Sequence, residues 1–301
     1  MRSSKLRVPC GGVRVLALLG IALMVASCAS SPKTQVLPEA EPFAAFPSGA
    51  LVYLYVDTVK ARPILDALPL ERMGGNQKAV AAALDKTSSA VAAWYPPGAP
   101  RHFLVAAQGR YPSFRASLSF ALSPAWKKRR SESGASYWYS AQDKISVFLG
   151  PQHAFISDGD PLPVPEASFP QRPEAFASFA EDAVLAGWLT EGGMFLNQCL
   201  SSLKIPLQVP AEQVLFCLQQ SEGHYQGMIR IETPSVTQAK AVVGLFSLAR
   251  LFMANLDTKE GVGVFFTHAP VQDGASLNLQ TGPLDAQGVA LLFSMFSLYS
   301  N

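Results

Sequence analysis

From Ala286 to Tyr299 the chain carries no charged residue, and from Ser235 to Leu256 it carries only Lys240 and Arg250. Both stretches have helical spacing. At 100° per residue, Lys240, Gly244, Ser247, Arg250 and Ala254 fall on one stripe of the first, while Val242, Leu245, Phe246, Ala249, Phe252, Met253 and Leu256 fill the opposite side. In the closing stretch Leu291, Leu292, Phe293, Met295, Phe296 and Leu298 leave only Gln287, Ser294 and Ser297 as a polar edge. Met194, Phe195, Leu196, Cys199, Leu200 and Leu203 form a milder third case. A surface helix ordinarily keeps a narrower apolar stripe, so any fold containing these helices must cover them on most sides. Three covers remain open from sequence: a protein core, the tail of a hydrophobic ligand held in an apolar cavity, or the bilayer interface. Their polar edges and length argue against conventional transmembrane spans.

The rest of the chain supports a folded protein. Of 301 residues 49% are hydrophobic and 15% charged, too apolar for disorder, and 23 Pro with 22 Gly break it too often for one helical rod. The length accommodates one large or two small domains with a real core. A net charge of +2 leaves no electrostatic footprint for nucleic acid, which is excluded as a partner.

The first 28 residues set the compartment. Arg2, Lys5, Arg7 and Arg14 precede an apolar or small run from Val15 to Val25, the pattern of a signal peptide. The run ends in Val25-Ala26-Ser27-Cys28, which resembles the lipobox of bacterial lipoprotein precursors. That resemblance implies cleavage before Cys28, a diacylglyceryl thioether on its sulfur and an acylated amino terminus. More than one acyl chain gives durable attachment, at ~0.8 kcal/mol per buried CH₂. Loss of residues 1–27 removes four basic residues and no acid, so the net charge of +2 becomes −2. Cys10 leaves with the signal peptide, and Cys199 and Cys217 remain as a disulfide or as two buried thiols.

After the signal peptide (1–27), residues 28–48 are expected to comprise the lipidated cysteine and a flexible, Pro-containing tether, with folding from near Gly49. Residues 49–160 are expected to form a first α+β half, 161–173 a Pro-rich joint and 174–301 a second half. Strands are predicted at 50–56, 90–95, 102–108, 137–142, 145–149 and 154–157, with helices near 63–68, 76–86 and 112–122. The second half predicts strands at 183–189, 213–219, 226–232, 262–267 and 276–280, and helices at 194–203, 235–256 and 285–299. Tyr111-Pro112-Ser113 and Thr233-Pro234-Ser235 each end a strand and open a helix, consistent with an internal duplication, although Pro-Ser commonly opens helices. Short connections between strands predict an antiparallel sheet flanked by amphipathic helices, an α+β fold.

Chemistry-bearing patterns are sparse. His102, His153, His224 and His268 lie far apart, and no HExxH, CxxC, GxGxxG, Walker A or GxSxG pattern occurs, so no catalytic residue, metal or cofactor is assigned. Asp158-Gly159-Asp160 lacks the further oxygens of a calcium loop and is expected to be a hairpin turn. Lys127-Lys128-Arg129-Arg130 is expected to be a loop, either merely solvated or facing anionic head groups.

Lipobox, tether, repeated α+β elements and wide apolar helices together resemble the treponemal outer-membrane lipoproteins that insert amphipathic helices into the membrane. The resemblance implies a non-enzymatic protein that carries amphiphiles or alters permeability. The expectation is therefore a lipoprotein anchored through Cys28 at the periplasmic face of the bacterial outer membrane, with lipid as its partner. Its expected lipid contacts are Val242, Leu245, Phe246, Ala249, Phe252, Met253, Leu256, Leu292, Phe293 and Phe296. The alternative is an envelope adhesin or scaffold that buries these helices as core and binds protein through Trp94, Tyr95, Trp138 and Tyr139.

Overall fold

The computed structural model describes residues 46–68, 77–131, 133–162, 173–202, 208–253 and 267–291. Strands β1 (Val52–Asp57), β2 (Thr87–Trp94), β3 (Phe103–Gly109), β4 (Trp126–Arg130), β5 (Ser136–Ser140), β6 (Ile145–Leu149) and β7 (His153–Ser157) come from the first half. The second half contributes β8 (Ala183–Leu189), β9 (Gln213–Ser221), β10 (His224–Glu232), β11 (Val271–Asp273) and β12 (Ser276–Gln280). They form one 12-stranded sheet in the order β11-β12-β10-β9-β8-β1-β2-β3-β7-β6-β5-β4. Every named pairing is antiparallel, so the expected antiparallel α+β fold is present.

The halves join at the β1–β8 pair, where Tyr53 lies opposite Trp188 and the rings stack with centroids 4.6 Å apart. Outward from this seam the strand order runs in parallel: β1, β2, β3, then β7 on one side, and β8, β9, β10, then β12 on the other. Gly187, also in β8, tolerates no side chain, since a Cβ there would come 2.3 Å from the Tyr53 carbonyl oxygen and 2.6 Å from the Phe216 ring.

Period-two alternation sorts the side chains onto two faces. On one, Tyr53, Val91, Ala93, Leu104, Phe155, Trp188 and Leu215 make a core closed by Phe46 and by Phe176 of the short helix at Phe176–Phe179. The other face carries the remaining helices: α1 (Arg62–Ala67), α2 (Gln77–Leu84), α3 (Ser113–Leu122), α4 (Gly192–Ser202) and α5 (Val236–Met253), with helical residues 286–291 beside them.

Three expectations change. Phe46 is 0% exposed, and the Pro47 carbonyl accepts hydrogen bonds from the Tyr53 and Tyr95 hydroxyls at 3.1 Å, so folded packing begins before Gly49 and within the expected tether. Lys127–Arg130 is an edge strand rather than a loop, because Trp126 seats it beside Phe120 and β5 pairs with it throughout. Asp158-Gly159-Asp160 is no hairpin turn, because it follows β7, whose partners β3 and β6 both precede it; the Asp158 carboxylate instead accepts from the His102 backbone N–H at 2.9 Å and lies 2.6 Å from the His102 ring nitrogen. The expected strand at 262–267 falls almost wholly outside the described residues.

Candidate functional site

Helix α5 starts at a serine cap. The Ser235 hydroxyl accepts from the Gln238 N–H at 3.3 Å, satisfying one helix-start donor, and donates to the Gln238 side-chain oxygen at 3.2 Å. Ala239 and Val242 then sink into the sheet, with Val242 1% exposed among Leu189, Val209, Val214, Ile231, Leu277 and Leu279. Val243 and Phe246 pack against the same cluster half-buried, and Leu245 is half-buried too. Cover thins along the helix: Arg250 shares the azimuth of buried Ala239 and is exposed, and Leu248 on the far side is 54% exposed.

Val242 is therefore core in this conformation, not a lipid contact as expected, because the sheet offers a complementary apolar floor at that turn. Leu245 and Phe246 straddle core and surface. The side chains of Ala249, Phe252 and Met253, and all of Cys28, Leu256, Leu292, Phe293 and Phe296, lie outside the described residues.

Further exposed apolar side chains lie elsewhere on the helical face. On α3, Ala116 and Phe120 face the sheet while Phe114, Leu118 and Leu122 face away, 62%, 49% and 76% exposed. Met194 and Phe195 on α4, Val236 and Leu248 on α5, and Leu291 are also exposed. Among the large exposed hydrophobics of the described residues, all but Val59 and Val271 lie on helices of this one face. The α3 ridge escaped the sequence reading although its signal was present: apolar residues at 114, 118 and 122 form an i, i+4, i+8 row besides the 116/120 pair.

The aromatic residues expected for a protein-binding surface are largely structural. Tyr95 is buried, Trp138 packs on Phe120 with centroids 5.7 Å apart, Trp94 is half-buried, and Tyr139 lies beneath the Arg129 guanidinium at 3.7 Å. α4 is fixed from below by Asn197, whose side-chain oxygen accepts from the Val209 N–H at 2.6 Å.

Reactive groups are shielded. Cys217 is a free buried thiol whose pKa burial pushes up to about 12, and the Cys199 side chain lies outside the described residues. Burial likewise raises the Tyr95 hydroxyl. Among the described residues, no group of three or more His, Cys, Asp or Glu side chains is placed to hold a metal, and no helix is long and apolar enough to cross a membrane. An open hollow of about 540 Å³ is lined by Pro173, Glu174, Ala175, Ser178, Gln213, Arg230 and Glu232. These walls are charged and polar and do not suit an acyl chain.

No family model matches the chain, and no curated protein does. Solved structures do: crystal form III of the treponemal protein TP0453 aligns with TM-score 0.60 and 17% identity, over 85% of this chain and 99% of that one. Crystal form I gives TM-score 0.59 and 18% identity, over 85% and 98%, and form IV gives 0.58 and 18%, over 85% and 96%. This chain therefore shares the fold of TP0453 along nearly the whole length of that protein, which supports the resemblance to treponemal lipoproteins.

Proposed function

We propose that this chain is a non-enzymatic envelope lipoprotein, anchored through Cys28 at the periplasmic face of the outer membrane. Its amphipathic helices bind lipid or enter the membrane interface and so alter permeability. The observation that carries the proposal is that the exposed apolar side chains lie on helices of one sheet face, as two groups: Phe114, Leu118 and Leu122 on α3 towards one end of the sheet, and Met194, Phe195 and Leu248 on α4 and α5 towards the other. Clustered exposed apolar surface marks interaction sites more often than scattered single residues do. The lipobox at Val25–Cys28 and the fold shared with TP0453 support the same assignment. We also interpret the matching strand orders on either side of the β1–β8 seam as an internal duplication.

The test is flotation with liposomes of residues 31–301, without the acyl anchor, alongside mass spectrometry for retained lipid. Flotation that falls when Phe246→Glu and Phe293→Glu are introduced into a still-folded protein supports interfacial insertion. A lipid-free monomer that never floats would leave Cys28 as the sole membrane contact and refute activity of the helices on lipid.

A further inference from the structure

We infer that α3 and the edge strand β4 form one docking surface for an anionic phospholipid bilayer, a site distinct from the apolar faces of α5 and the closing helix. The inference rests on the membrane assignment above and names the surface and the lipid class.

Two features meet there. The first is the ridge of Phe114, Leu118 and Leu122, which stands about 180° around α3 from Ala116 and Phe120. A helix of this length usually turns a polar side to water; this one is apolar on two opposite sides, with exposed Arg115 at the edge of the ridge and Ser117 and Ser119 between the two. The second is the strand that follows after one turn. Lys127, Lys128, Arg129 and Arg130 are all exposed on β4, the last strand of the sheet.

Register assigns them to faces. Lys128 pairs with Trp138 and lies two residues from Trp126, and both tryptophans pack on Phe120 beneath α3. Lys128 and Arg130 therefore project on the same side of the sheet as α3, whereas Lys127 and Arg129 project on the other, with Arg129 stacked on Tyr139. Apolar side chains that can sink below head groups, flanked by cations at head-group level, are the composition of an interfacial helix on an anionic surface. Charge complementarity selects the occupant: Lys128 and Arg130, exposed on the α3 side of β4, match the anionic head groups of a bilayer whose acyl region takes the apolar ridge, which a net-neutral protein partner would not do.

Basic residues on an edge strand also block sheet-to-sheet pairing. That role predicts aggregation on neutralisation and no dependence on lipid charge, so the two are separable.

The experiment uses residues 28–301 with Cys28→Ser, floated with vesicles of phosphatidylcholine alone or with 30 mol% phosphatidylglycerol. Binding is expected on the anionic vesicles and to fall as salt rises. Lys128→Gln with Arg130→Gln is expected to weaken it about 30-fold, at roughly fivefold per basic residue. Phe114→Ser, Leu118→Ser and Leu122→Ser together are expected to abolish it, with thermal unfolding unchanged because these side chains are exposed. Equal binding to both vesicle types, or full binding by either variant, overturns the α3–β4 surface while leaving membrane activity through other helices intact. Aggregation of the Gln variant with undiminished lipid binding assigns β4 to edge protection and also overturns it. Binding to neither vesicle type refutes activity of any helix on lipid together with this surface, and leaves Cys28 as the sole membrane contact.

Discussion

Replacing Val242 by Ala tests whether α5 is seated as described. Val242 is 1% exposed and enclosed by residues of β8, β9, β10 and β12. Removing two methyl groups forfeits about 1.6 kcal/mol of transfer free energy, and the strand-borne walls around it cannot collapse freely, so a cavity term brings the loss to about 2–3 kcal/mol. Leu248→Ala on the same helix removes a larger side chain from a 54%-exposed position and should change stability by less than about 0.5 kcal/mol. Urea unfolding of both variants measures the contrast. A loss below about 0.5 kcal/mol for Val242→Ala, or equal losses for the two, would show that this face of α5 is not packed on the sheet.

The same residue bears on function. Burial of Ala239 and Val242, with half-burial of Val243 and Phe246, holds α5 down by about 4–5 kcal/mol. Weakening that by about 2 kcal/mol raises the released population about 30-fold. If membrane entry proceeds through release of α5, Val242→Ala should increase vesicle binding at limiting lipid. Unchanged binding would mean that α5 stays seated and that contact is made by side chains already exposed.

Other consequences follow from the packing. Phe46→Ala should cost about 3 kcal/mol, at the low end for a buried Phe because a chain segment near the tether can relax; urea unfolding indistinguishable from the parent would place residue 46 outside the folded unit. Gly187→Ala should lower stability by about 3 kcal/mol, visible as a fall in Tm, since its Cβ meets backbone at 2.3 Å across the central strand pair; an unchanged Tm would refute that close approach. Burial pushes the Tyr111 hydroxyl up to about 12, so the folded state favours its neutral form. Its contribution is complete below the ordinary value near 10 and is lost as pH rises towards 12, by at most about 2.7 kcal/mol. Tyr111→Phe should flatten that alkaline decline in a pH series of urea unfolding, and an unaltered slope would exclude Tyr111 as its source.

Much of the secondary structure is legible because its causes are local. The strands at Ala183–Leu189 and Ser276–Gln280 match their expected limits, and the helices at 113–122 and 236–253 begin just after Pro112 and Ser235, where the expected start signals lie. The edge strand was not legible: Lys127-Lys128-Arg129-Arg130 has no apolar alternation, and it is a strand because Trp126 packs on Phe120 and β5 supplies the hydrogen bonds. The burial of Phe46 was equally hidden, since its pocket is assembled from Tyr53, Trp188 and Phe176, far apart in the chain.

The candidate site divides in the same way. Amino-acid order alone determined that α5 is too apolar to stand bare in water, because helical azimuth follows from residue number. It could not say which part of that arc the protein covers. That choice belongs to the sheet, whose floor beneath Val242 is built by strands β8, β9, β10 and β12 and whose extent sets where the cover ends near Arg250. The α3 ridge is the converse case: either apolar row could have faced inward, and the seating of Phe120 between Trp126 and Trp138 turned Phe114, Leu118 and Leu122 outward. Periodicity is a property of neighbours along the chain, whereas the side that is left bare is decided by partners brought together only in the folded sheet.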